Sequence, residues 1–204
     1  MNWLAHIFLS EQNIDFQIGN YLADPLKGRA WDDANIHLKN GIKIHMLIDS
    51  YTDSHHIVSI SKSRLREKGL LKSIIIDITY DYFLTKNWDK FCTIPFDDFT
   101  KSFYIQAGER LNYLPQNARI AVERLIKFNI LNKYQKVEHL EKAFGRFDKR
   151  LSEKLASRDT ASSYFEAVDE NIEQLEKDFL VFFPELCKEV RKNVNSEKIS
   201  HWKI

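Results

Sequence analysis

Apolar residues recur three and four positions apart along most of this chain, the spacing that lines one face of an α-helix. The pattern predicts short helices over about 2–10 and 14–23, the second stopped or re-aimed at Asp24-Pro25. A long helix follows, capped by Asp32 or Asp33 and weakened near its start by Gly41. Residues 62–68 either continue it or form a helix of their own before Gly69. The next helix, about 70–88, contains Ile74-Ile75-Ile76, a β-branched run. The helical spacing continues on both sides of it and outweighs the strand reading. Further helices are expected over about 97–113, 116–131 and 134–155. A long amphipathic helix then runs over 162–183 to Pro184, and a polar C-terminal helix follows. Only 6 Gly and 4 Pro in 204 residues leave little room for the tight turns of a β fold. The expectation is an all-α, single-domain helical bundle spanning 1–204.

One helical run departs from simple amphipathicity. In 41–56, His45, Asp49 and Asp53 stand at i, i+4 and i+8, so they stack on one face as a polar ladder. Ile44, Leu47, Ile48 and Tyr51 form the neighbouring stripe, which should face the core. Ionisable groups at a core edge are costly unless paired. A divalent metal would pair with them, and so would a simple His45–Asp49 hydrogen bond. The helix at 70–88 adds Asp77 and Asp81, four apart among Ile, Tyr and Phe. His6 and Asp24 supply further ligand-type groups near the N-terminus. Antiparallel helices can converge such residues on one point. Imidazole and carboxylate without thiolate suit Mn, Fe, Zn or Mg, and such an ion favours phosphoester hydrolysis.

Each residue also has a plainer reading. Asp24 fits an N-cap ahead of Pro25, and Asp77 fits an ion pair with a lysine. Asp53, Ser54, His55 and His56 fit helix-end polarity, and His37 and His139 fit the surface. His201 lies in the tail. Tyr164-Phe165 and 179–183 are most simply core, and Arg146 and Arg150 are most simply surface ion pairs, though their forked donors could also meet a phosphate.

Charge narrows the partners. Lys+Arg 30 against Asp+Glu 29 gives a net charge of +1, without the basic excess expected of a nucleic-acid binder. Lys62, Arg64, Arg66 and Lys68 still make a local basic cluster. Cys92 and Cys187 have neither CxxC spacing nor a neighbouring histidine, so no disulfide framework or zinc knuckle is expected. No run approaches the roughly 20 apolar residues of a membrane helix, and the N-terminus lacks a basic leader. A reduced, cytoplasmic protein without membrane or nucleic-acid partners is expected.

Four segments, in order, carry a family resemblance: Met1-Asn-Trp-Leu-Ala-His6, Gly19-Asn-Tyr-Leu-Ala-Asp24 with Lys27-Gly28, Gly41-Ile-Lys-Ile-His45 through Asp49 to Asp53, and Tyr80-Asp81-Tyr-Phe-Leu84 with Trp88. Together they resemble the acyl carrier protein phosphodiesterases, divergent relatives of the HD-domain metal-dependent phosphohydrolases. The resemblance implies a helical, HD-like fold. It also implies hydrolysis of the phosphodiester that joins 4′-phosphopantetheine to holo-acyl carrier protein, leaving the apo form. The implied cofactor is a divalent metal, typically Mn²⁺, with Mg²⁺, Fe²⁺ or Co²⁺ as alternatives. By motif position His6, Asp24, His45, Asp49 and Asp81 become the metal-binding set, with Asp24, His45, Asp49 and Asp81 catalytic and Asp53 and Asp77 supporting. The partner is strongly acidic, so Lys62, Arg64, Arg66 and Lys68 become its expected docking surface.

The chain departs from the family pattern in three places. It has no adjacent His-Asp pair, Tyr82 stands where a histidine is expected, and Pro25 replaces a bulky apolar residue. Two other readings stay open from sequence: a metal phosphohydrolase acting on a nucleotide or another small phosphoester, and a catalytically impaired helical binding protein.

Overall fold

Two glycines let the helices that carry the site cross at close range. Helix α1 (Trp3–Phe8) is followed by α2 (Ile14–Leu22) and α3 (Ile36–Ser54), and α2 packs on α3 more extensively than any other pair of elements. A Cβ at Gly41 of α3 would overlap the carbonyl oxygen of Phe16, and one at Gly19 of α2 would overlap that of Leu38. Gly41 is therefore a contact point between helices, and its intrinsic cost to α3 is offset by this packing. The helix is capped by Asn35, whose side chain accepts the Leu38 N–H, and not by Asp32 or Asp33.

The structure, a computed structural model, describes residues 1–133 and 135–204. After α3 come α4 (His56–Leu65), α5 (Lys72–Lys86), α6 (Trp88–Phe91), α7 (Phe96–Arg110) and α8 (Gln116–Lys127). The chain ends with α9 (Val137–Asp148), α10 (Glu153–Ala156), α11 (Phe165–Glu170) and α12 (Ile172–Arg191). The described residues contain no strand, only an isolated bridge between Cys92 and Trp202, so the all-α expectation holds. No helix among them is long and apolar enough to cross a membrane. The triple-isoleucine run is helical, as its flanking periodicity required.

Several boundaries differ from the sequence reading. The helix expected over 134–155 is two helices, Val137–Asp148 and Glu153–Ala156, and its proposed start at 134 lies outside the described residues. The helix expected to stop at Pro184 continues through it to Arg191. Pro184 removes one backbone donor, but Phe179, Phe182, Phe183, Leu186, Cys187 and Val190 keep a buried face on both sides of it. The tail also folds back: His201 and Trp202 are buried and both donate to the carbonyl of Phe8.

Candidate active site

His6 of α1 and His45 of α3 stack ring on ring, centroids 3.9 Å apart and planes 18° apart. Asn20 of α2 holds both. Its side-chain oxygen lies 2.9 Å from His6 Nδ1, and its backbone oxygen lies 2.7 Å from His45 Nδ1. Its Nδ2 donates to the His6 carbonyl at 2.8 Å and to Ser10 Oγ at 2.9 Å, which fixes the amide orientation. A carbonyl oxygen can only accept, so each imidazole carries its proton on Nδ1. Both Nε2 atoms therefore face the same place, and Asp49 is there. His6 Nε2 is 3.2 Å from Asp49 Oδ1 and 3.1 Å from the Met1 carbonyl, while His45 Nε2 is 3.0 Å from Asp49 Oδ2. Asp24, in the turn that follows α2, brings Oδ1 to within 3.3 Å of His45 Nε2. Asn20 is the site residue that sequence reasoning passed over. Its only signal in the sequence was its place four before Asp24, in the apolar segment Gly19-Asn-Tyr-Leu-Ala.

Electrostatics separates the two rings. Burial works against a charge on His45, but Asp24 and Asp49 outweigh it and raise its pKa to about 9. Burial and the neighbouring His45 lower that of His6. Burial likewise opposes ionisation of Asp49, but hydrogen bonds from His45 and His6 hold its carboxyl well below the usual range. The His45 hydrogen bond also lowers Asp24. His6 Nε2, Asp49 Oδ1 and the Met1 oxygen thus converge on one place, with the Met1 ammonium 3.9 Å from the same carboxylate oxygen. The candidate ligand atoms of His6, His45 and Asp49 lie within 4.8 Å of one another, and imidazole fixed by a second-sphere carbonyl is the usual state of a metal-binding histidine.

Helix α5 supports this site from below α1. Asp81 is fully buried, with Oδ2 accepting the Leu4 N–H at 2.9 Å and Oδ1 accepting the Ala5 N–H at 3.3 Å. It thus caps α1, where Asn2 makes no side-chain cap. Burial outweighs the two N–H groups and raises its pKa to about 7. Its oxygens are turned to the start of α1 and not to the paired Nε2 atoms. Asp77, one turn earlier, accepts the Met1 amine at 2.9 Å. Asp53, the last rung of the ladder, is exposed and pairs with Lys62 instead. Tyr82 is buried beside Phe83, with Lys86, Glu176 and Glu138 as the charges that act on its hydroxyl, so it faces away from the His–Asp cluster.

A cavity of about 420 Å³ reaches the cluster through Asp24 and Asp77. Trp3, Ile74, Ile78, Phe128, Ile130, Ala143 and Phe147 give it apolar walls, and Lys133, Arg146 and Arg150 border it. Arg146 and Arg150 were expected to form surface ion pairs, yet no carboxylate among the described residues lies within 4 Å of either. The expected docking cluster behaves in the opposite way. Lys62 pairs with Asp53 at 3.2 Å, Arg64 with Asp178 at 2.8 Å, and Arg66 with Asp159 at 3.0 Å while stacking on Tyr164. Of the four, only Lys68 is left without an internal carboxylate among the described residues. The basic side chains at 62–66 thus pair α4 with its neighbours.

Fold and site together define a helical protein with a buried imidazole–carboxylate cluster that opens on a partly cationic cavity. Comparison with known proteins makes this specific. The family model for acyl carrier protein phosphodiesterase matches residues 1–186, and the chain belongs to that family. A protein named acyl carrier protein phosphodiesterase from Yersinia pestis is 26% identical over 195 residues, covering 94% of this chain and 98% of its own. One of the same name from Klebsiella pneumoniae (strain 342) is 25% identical over 190 residues, covering 92% and 96%. Another, from Photorhabdus laumondii, is 26% identical over 189 residues, covering 90% and 92%. No solved structure matches the chain.

Proposed function

We propose that this protein hydrolyses the phosphodiester between 4′-phosphopantetheine and the serine of holo-acyl carrier protein, releasing the arm and the apo carrier. The observation that carries the reading is the pair of imidazoles held by Asn20 with both Nε2 atoms on one carboxylate, Asp49. Family membership supplies the substrate class. His6, His45 and Asp49, with Asp24 on the open side, are the residues that would hold a divalent cation, Mn²⁺ in the first instance. Such a cation supplies charge neutralisation at a phosphoryl oxygen and a lowered pKa for water.

The chain's own groups have separable tasks. Asn20 fixes the tautomer and tilt of His6 and fixes His45 through its backbone. Asp81 and Asp77 hold the start of α1, and so hold His6 against His45. Asp24 is the most exposed member, with 61% of its side chain accessible at the cavity. Its free oxygen is placed to take the proton of an entering water. The apolar walls suit the gem-dimethyl and methylene groups of a pantetheine arm. Water adds to phosphorus, the serine oxygen leaves, and the net reaction consumes one water.

Incubating the purified protein with Mn²⁺ and holo-acyl carrier protein, and following the carrier's mass, tests the reading. Loss of the arm's mass, abolished by EDTA and by Asp49→Ala, is expected. An unchanged carrier together with turnover of nucleotides or small phosphodiesters would move the assignment to a small-molecule phosphohydrolase. Neither activity, with no Mn²⁺ bound, would leave a helical binding protein.

A further inference from the structure

The mouth of the cavity carries a feature that the His–Asp cluster does not use. Residues 116–150 hold nine Lys or Arg and four Asp or Glu, a net +5 in a chain whose total is +1. At the end of α8, Phe128 leaves 52% of its surface exposed. The Nζ atoms of Lys127 and Lys133 lie 5.9 and 5.6 Å from its ring centroid. Phe128 and Lys133 line the cavity, and so do Arg146 and Arg150, which stand one turn apart across the end of α9. Among the described residues no carboxylate lies within 4 Å of these cations, whereas Lys62, Arg64 and Arg66 are all paired internally. An exposed aromatic ringed by unpaired cations is the composition of an interface core with a charged rim.

We propose that Phe128, Lys133, Arg146 and Arg150 form the docking surface for an acidic protein helix that delivers its phosphodiester into the cavity. The proposal rests on the function given above, which requires a protein substrate. A small anion would call for convergent, buried donors. These cations instead sit at exposed or half-buried positions on two elements around an apolar anchor, a layout matched by an acidic amphipathic surface. The cavity these residues line also reaches Asp24 and Asp77, so a partner seated there has its phosphodiester beside them.

The test is binding of fluorescently labelled apo-acyl carrier protein, which carries no arm to be cleaved. Wild type is expected to bind it, with affinity falling as salt rises. Arg146→Glu combined with Arg150→Glu should weaken binding at least tenfold at low salt, and Phe128→Ala should weaken it at every salt concentration. Lys101→Glu, an exposed reversal on α7, is the control and should bind as wild type does. Arg146→Gln with Arg150→Gln replaces the double reversal if circular dichroism shows that the latter is unfolded. Wild-type affinity in the double variant, or no binding of the carrier by wild type, would overturn the proposal. Normal docking without loss of the arm from holo carrier would uphold the surface and refute the reaction.

Discussion

Asn20→Ala is the substitution that separates a working histidine pair from a structural one. Asn20 is fully buried and makes three side-chain hydrogen bonds, to His6 Nδ1, the His6 carbonyl and Ser10 Oγ. Alanine removes all three, but the losses are unequal. Ser10 Oγ still donates to the His6 carbonyl at 2.8 Å, so those two groups keep a partner. His6 Nδ1–H is left buried and alone, a cost of about 1–3 kcal/mol. The vacated volume adds to it, so a total of roughly 2–4 kcal/mol is expected, which in a chain of this size lowers the Tm by roughly 4–16 °C. The effect at the site is more specific. His6 is released from its tautomer and tilt while His45 keeps its bond to the Asn20 backbone, and loss of such a second-sphere partner costs roughly 10–100-fold in metal affinity or activity. Thermal melts, Mn²⁺ calorimetry and carrier-protein hydrolysis on the same preparation give the three readouts. Asn20→Asp keeps an acceptor for His6 Nδ1 and should recover part of the Mn²⁺ affinity, although it cannot donate to Ser10. An Asn20→Ala protein that melts early yet binds Mn²⁺ and turns over as wild type does would refute the role given to His6.

Two further outcomes test how the helices present the cluster. Gly41→Ala should cost more than about 3 kcal/mol, because the new Cβ meets the Phe16 backbone and pushes α2 from α3. Gly145→Ala in α9 meets nothing within 4 Å and should gain about 0.5–1 kcal/mol, so denaturant melts of the pair should shift in opposite directions. Burial pushes the Asp81 carboxyl up to about 7 from an ordinary value of 3.8, so the folded state holds its proton more tightly. Its contribution to stability is therefore lost as pH rises from about 4 to 7, by up to about 4 kcal/mol. The Tm difference between Asp81→Asn and wild type should become more positive between pH 5 and pH 8. A difference that is flat with pH would mean that Asp81 is ionised throughout.

Helix identity was readable because amphipathic spacing is a local property, and it survived even the β-branched run at 74–76. Helix ends were less readable where tertiary packing overrides local chemistry. Pro184 reads as a stop, yet the buried phenylalanines around it stabilise α12 through the missing hydrogen bond. Gly41 reads as a weakness, and its reason lies 25 residues away in Phe16. Asp32 and Asp33 read as caps, but the cap is set by where α3 meets α2, and Asn35 stands at that point.

The site divides along the same line. His45 and Asp49 share one helix, so their pairing followed from spacing, whereas Asp53 is exposed and pairs with Lys62. His6 and Asp24 could be placed beside them only through the family resemblance, since no local rule brings α1 and the turn after α2 to α3. Asn20 escaped notice because a buried amide has no reactive chemistry of its own, and its importance lies in the four partners that folding gives it. The basic clusters show the limit most plainly. Lys, Arg and Asp look alike in sequence whether they pair inward or face solvent. The cations at 62–66 meet Asp53, Asp159 and Asp178 across the bundle, whereas Arg146 and Arg150 meet no carboxylate among the described residues. Charge that remains unpaired after folding is what an acidic partner can use. Lys133, Arg146 and Arg150 carry such charge at the cavity that leads to Asp24.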